Sequence, residues 1–174
     1  NKVLDFLSSK GFDIFLDLKL HDIPNTVSKA IEEIAQFNVL MTTIHLQGGM
    51  EMIDAANQAK GRIKILGVTL LTSLDEGDTQ MLYSNNFDNQ FNNLINVAEK
   101  SEVDGIVCSS KELNLLSSSN LIKVVPGIRN QNLADDQKRV MSSKEAYENG
   151  ANYIVVGRPI TQSKNIDEAI REYS

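Results

Sequence analysis

The sequence predicts an α/β fold: a parallel sheet built on the (β/α)8 barrel plan, with about six of the eight units present. Three observations predict it. Six apolar runs, nearly continuous, suit strands covered on both faces. Stretches of helical periodicity separate them, and that alternation means a parallel sheet. Polar residues and glycines recur just past the C-terminal ends of the runs, where barrel enzymes keep their active-site loops, and the last run ends in Gly157-Arg158, where such barrels often hold a phosphate.

Asn1 to Lys10 reads as a helix, with Val3, Leu4 and Leu7 at helical spacing and Gly11 as its cap. A charged strand follows. Side chains on a strand alternate faces, so Ile14, Leu16, Leu18 and Leu20 share one face, expected to lie under helices, and Asp13, Phe15, Asp17 and Lys19 share the other. Asp22 falls in the turn and Pro24 marks the exit. Thr26 to Phe37 is a helix through Val27, Ile31 and Ile34, and Val39 to Leu46 is a β-branched strand broken by Gly48-Gly49. Glu51 to Lys60 is helical up to Gly61, and Ile63 to Leu71 is a buried strand closing on Thr72-Ser73. Phe87 to Lys100 is an amphipathic helix, Asp104 to Cys108 a strand and Lys111 to Leu116 a short helix. Leu121 to Val125 is a strand ended by Pro126-Gly127, Ser142 to Asn149 a helix, Tyr153 to Val156 the last strand and Asp167 to Tyr173 the last helix.

Eight units take roughly 250 residues, so two units amount to about 60. The first two strands are therefore expected upstream of Asn1, and residues 1–174 are read as a single barrel domain lacking them. A chain of 174 residues that is 41% hydrophobic and 23% charged is ordinary for a soluble globular protein. The net charge of -6 and the absence of a Lys/Arg run exclude nucleic acid as a natural partner. No apolar run reaches the length of a membrane helix, and no signal peptide is visible. The one cysteine, Cys108, allows no internal disulfide, fits a reducing cytoplasm, and is expected to pack at a strand end.

Chemistry concentrates at the strand ends. Asp17 and Lys19 put a carboxylate beside an ammonium, either as a structural ion pair or as an acid–base constellation at the barrel mouth. Gly157 lets backbone N–H groups approach a phosphate, and Arg158 supplies a fork of donors. Arg129, after Pro126-Gly127, offers a second guanidinium, and Gln137 an amide. Thr72 and Ser73 could read a heterocycle, or merely cap a turn. His21 and His45 are read as satisfied structural histidines. No His/Cys cluster has metal-ligand spacing, so no metal site is assigned.

Asp17-x-Lys19-x-x-Asp22-Ile23-Pro24-Asn25-Thr26 resembles the signature of the orotidine 5'-phosphate decarboxylases in their bacterial form. The resemblance continues, in order, through Ile44 to Gly49, Val68 to Ser73, Asp104 to Ser109, Val125 to Arg129 and Val156 to Thr161. It implies a TIM barrel and cofactor-free decarboxylation of orotidine 5'-phosphate to UMP, a step of pyrimidine biosynthesis, in a cytoplasmic homodimer. Lys19 would deliver the proton and Asp17 would face the departing carboxylate. Asp22, Ile23 and Thr26 would reach the partner's site. Thr72 and Ser73 would lie near the pyrimidine, Pro126 beside the ring, and Arg129, Gln137, Gly157 and Arg158 at the phosphate. The alternatives are a magnesium-dependent sugar-phosphate decarboxylase or synthase of the same superfamily, and a catalytically dead nucleotide-binding remnant. The resemblance also implies an Asp and a Lys ending the first two barrel strands. Lys2 and Lys10 do not match them, so residues 1–174 by themselves are expected to be inactive.

Overall fold

The computed structural model describes residues 2–71, 73–110, 112–130 and 141–174. The chain divides into two compact units, residues 1–106 and 107–174. Among the described residues six strands lie in one sheet in chain order.

The first unit runs α1 (Lys2–Ser9), β1 (Phe15–Leu20), α2 (Pro24–Ile34), β2 (Met41–His45), a 3-10 turn at Leu46–Gly48, α3 (Met50–Ala59), β3 (Lys64–Val68), α4 (Glu76–Tyr83) and α5 (Phe87–Lys100). β2 and β3 pair in parallel without interruption, from Met41 opposite Lys64 to His45 opposite Val68. Helices α2 and α3 pack together, burying Val27, Ile31 and Ile34 on one and Met52, Ile53 and Ala56 on the other. Each large aliphatic side chain removed from water contributes about 1.5–3 kcal/mol. Asp104, leading into β4 (Gly105–Val107), accepts hydrogen bonds from the Lys60 ammonium at 2.7 Å and the Ile65 N–H at 2.8 Å, which ties that lead-in to β3.

Gly67 has a packing reason. A Cβ placed there would stand 2.4 Å from Cδ2 and 2.6 Å from Cγ of Leu46, a fully buried side chain. Gly67→Ala is expected to destabilise the fold by about 2 kcal/mol through overpacking. A lowered urea midpoint with an unchanged m-value checks it.

Three expectations are corrected here. The aliphatic face of β1 is not covered: Ile14 is buried, but Leu18 is 47% exposed and Leu16 and Leu20 are half-buried. Among the described residues β1 pairs with β2 alone, so one flank lacks a neighbour. Its alternation is also broken, because β1 advances from Leu16 to Leu20 while β2 advances from Thr42 to Ile44. Second, α4 was not foreseen. It buries only Thr79 and exposes Met81 and Leu82, so it has no core-facing stripe to read. What starts it is a reciprocal cap: Asp75 accepts from the Asp78 N–H, and Asp78 accepts from the Asp75 N–H. Third, the strand expected over Ile63 to Leu71 is regular only over Lys64–Val68.

The second unit contains a 3-10 turn at Leu113–Leu116, β5 (Ile122–Pro126), α6 (Ser143–Glu148), β6 (Tyr153–Val155), α7 (Arg158–Thr161) and α8 (Ile166–Tyr173). β5 and β6 are parallel, with Val124 opposite Tyr153 and Pro126 opposite Val155. The short helix expected at Lys111 to Leu116 is the tighter 3-10 form, and Lys111 lies outside the described residues. The four-residue α7 is too short to carry a periodicity and was not foreseen. β6 leaves Tyr153 and Val155 about two-fifths exposed, unlike the buried Val124 and Val125 of β5. Cys108 is buried at the end of β4. Burial pushes its thiol up to about 12, the neighbouring Glu112 adding to the effect and Lys123 opposing it. Glu112 is itself held above the usual carboxylate range by burial, although the Ser109 N–H donates to it at 2.7 Å.

Candidate active site

In the first unit the predicted acid and amine converge. The Lys19 ammonium donates to Asp17 Oδ2, and each side chain is about two-fifths exposed. An ion pair so open to water contributes only about 0–1 kcal/mol to stability. The pair is shaped by its neighbour. Thr43, fully buried on β2, donates its hydroxyl to Asp17 Oδ1 at 2.8 Å and accepts the Lys19 N–H at 2.8 Å. Lys19 has φ 50°, a left-handed conformation costing a side-chain-bearing residue about 1–2 kcal/mol. That kink falls at the β1 irregularity, between Leu16 and Leu20. Thr43 was missed by sequence reasoning. Its one signal is the Thr42-Thr43 pair, two hydroxyls inside an otherwise apolar strand.

His45 closes β2 beside this cluster, its ring centroid 5.3 Å from that of His21. Its buried Nδ1 has no hydrogen-bond partner among the described residues, so it is not the satisfied histidine expected. Burial, then the His21 and Lys19 charges, hold its pKa below the usual value, with Asp17 opposing. Above pH ~6.5 the folded and unfolded chains both carry a neutral imidazole. As pH falls below that, the unfolded chain takes up the proton first and stability declines, until the folded imidazole protonates as well. Urea midpoints are therefore expected to fall between pH 7.5 and 5.5, and the fall is expected to be shallower in His45→Gln.

Asp22, Ile23 and Thr26 stand exposed around the start of α2, and Asp22 Oδ1 accepts the Ile23 N–H at 2.7 Å. Ser73 is exposed in the turn before α4. Thr72 and Gln137 lie outside the described residues.

In the second unit both predicted arginines line one cavity of about 500 Å3, with Gln162, Asn165, Glu172 and Tyr173 among its walls. Arg129 is 9% exposed at the foot of the segment after Pro126 and Gly127, whereas Arg158 is exposed at the start of α7 just after Gly157. Asn130 organises the wall: its N–H donates to the Tyr173 hydroxyl, its Nδ2 to the Glu172 carbonyl, and its Oδ1 accepts the Ser143 N–H. Two carboxylates, Glu168 and Glu172, also line the cavity. Glu168 is engaged at the α8 N-terminus, where its N–H bonds Asn165 Oδ1 and its Oε2 accepts from Asn165 Nδ2. Among the described residues no three His, Cys, Asp or Glu side chains cluster as a metal site would require.

A family model described as "Orotidine 5'-phosphate decarboxylase / HUMPS family" matches residues 1–173. The chain belongs to the orotidine 5'-phosphate decarboxylase / HUMPS family. Within it, the chain is 48% identical over 160 residues to the orotidine 5'-phosphate decarboxylase of Aquifex aeolicus, spanning 88% of this chain and 69% of that protein. It is 44% identical over 174 residues to that of Wigglesworthia glossinidia brevipalpis, spanning 94% of this chain and 74% of that protein. The crystal structure of orotidine 5'-phosphate decarboxylase from Lactobacillus acidophilus superposes with a TM-score of 0.82 at 33% identity, covering 98% of this chain and 80% of the other. The fold class expected from the sequence, an α/β barrel plan with six of its βα units in this chain, holds in this family.

Proposed function

We propose that the protein decarboxylates orotidine 5'-phosphate to UMP without a cofactor, Lys19 acting as proton donor. The observation that carries this reading is the acid–amine pair of Asp17 and Lys19, gathered on Thr43 in a chain of this family. The bond from the pyrimidine ring to the carboxylate carbon breaks, carbon dioxide leaves, and the electron pair stays on the ring carbon. That carbon takes a proton from Lys19 Nζ, and the neutral amine regains one from water. The ammonium stands where negative charge develops, which is where a fixed charge is most effective. Asp17 opposes the substrate carboxylate. At ~4 Å and an effective dielectric near 20 that repulsion is about 4 kcal/mol, roughly a thousandfold in rate if wholly relieved. The remainder comes from carbanion stabilisation and from phosphate binding that holds the strained complex. Arg129 and Arg158, with Gly157 and Gln137, serve the phosphate; Pro126, Thr72 and Ser73 border the pyrimidine.

Two structural proposals accompany this. The exposed Asp22, Ile23 and Thr26 reach the site of a second subunit in a homodimer. The chain's six units belong to one eight-unit barrel domain, whose other two supply a further Asp and Lys; the uncovered Leu18 on β1 and Tyr153 and Val155 on β6 support it. We place the enzyme in the cytoplasm; among the described residues no helix is long and apolar enough to cross a membrane. Loss of the orotidine 5'-phosphate absorbance band, followed in EDTA with the complete gene product, tests the function. Turnover that needs magnesium would favour the sugar-phosphate decarboxylases or synthases, and nucleotide binding without turnover a dead remnant.

A further inference from the structure

We propose that Thr43 is a positioning residue for the Asp17–Lys19 pair, one buried hydroxyl setting both the carboxylate and the backbone of the lysine. The inference rests on the decarboxylase reading and deepens it. A threonine hydroxyl has one proton to donate and two lone pairs to accept with. Here the proton goes to Asp17 Oδ1 and a lone pair takes the Lys19 N–H, both at 2.8 Å. At the β1 irregularity the acceptor of the Lys19 N–H is this side-chain oxygen of β2.

This bond opposes the tendency of Lys19 to leave its left-handed conformation. The bond to Asp17 leaves the carboxylate one free direction less, with Oδ2 turned to the ammonium. The ion pair itself is open to water and is a poor source of rigidity. Rigidity comes from the buried side, because Thr43 is fully enclosed. Its neighbour makes a contrast within the same strand. Thr42 is equally buried, but its hydroxyl donates at 2.7 Å to the Leu16 carbonyl and touches neither charged group. A displacement of about 1 Å in a catalytic group costs on the order of a hundredfold in rate.

The test is kinetic, on the complete gene product with orotidine 5'-phosphate. Thr43→Val, which keeps the shape and removes the hydroxyl, is expected to lower kcat by about 100-fold while KM stays within about threefold. Thr43→Ser, which keeps the hydroxyl, is expected to stay within about threefold of the parent in kcat, and so is Thr42→Val. The inference is overturned if Thr43→Val turns over like the parent, if Thr43→Ser is as impaired as the valine variant, or if Thr42→Val loses as much. Far-ultraviolet circular dichroism identifies a valine variant that fails to fold. Thr43→Cys, of similar volume and with a weak donor, then stands in its place and is read by the same outcomes. Failure of the underlying reading looks different: the parent itself shows no turnover, and the inference falls with it.

Discussion

Replacing Lys19 by alanine in the complete gene product is expected to lower kcat by at least about 10⁴-fold while barely moving the unfolding midpoint. The two readouts separate because of where the side chain sits. Lys19 and Asp17 are each about two-fifths exposed, so the pair contributes about 0–1 kcal/mol to the fold. In the mechanism proposed above the same ammonium both offsets the developing carbanion and donates the proton. General acid catalysis is worth about 10²–10⁴-fold, and a fixed charge at the developing anion a further 10²–10³-fold. A structural ion pair predicts the reverse pattern, a loss of stability with kcat retained. Steady-state kinetics beside urea denaturation of Lys19→Ala decides between them, and Lys19→Arg adds a control that keeps the charge but gives up its proton far less readily.

Arg158→Ala is expected to lower kcat/KM for orotidine 5'-phosphate by about 10²-fold or more. A hydrogen bond to a charged group contributes about 1.5–3 kcal/mol, and each 1.4 kcal/mol is a factor of ten. Among the described residues lining the cavity, Arg129 is the other cation, with Glu168 and Glu172 of opposite sign. Losing one guanidinium therefore weakens the attraction for an arriving dianion. Where phosphate binding energy is used to reach the transition state, the loss falls on kcat as well as KM. The decisive comparison is orotidine without its phosphate: the variant and the parent should process it equally slowly. An equal proportional loss on both substrates would remove Arg158 from the phosphate site.

Much of this was legible in the chain of residues. The six apolar runs marked the strands, and β-branched and aliphatic clusters such as Ile63 to Val68 left little choice of conformation. A period of two pairs Asp17 with Lys19 on one face, and the two are in contact although the ladder is irregular there. Gly157-Arg158 and Pro126-Gly127-Ile128-Arg129 could be placed after strands, and the two arginines do line one cavity. Elsewhere local pattern misled or was silent. Leu18 looked like a core residue because alternation says nothing of whether a strand has a neighbour on both flanks. α4 escaped notice because a reciprocal Asp75–Asp78 cap, rather than an apolar stripe, starts it.

The order and type of these residues determined an alternating α/β chain with an acid and an amine two positions apart at the end of a strand. Only the tertiary structure decided how that acid and amine are held. The hydroxyl that grips them comes from Thr43, 26 residues beyond Asp17, and the kink at Lys19 falls where the register of β1 against β2 shifts. The physical reason is range: side-chain alternation is set by neighbours along the chain, whereas a buried hydrogen bond across strands depends on register, which forms when the sheet does.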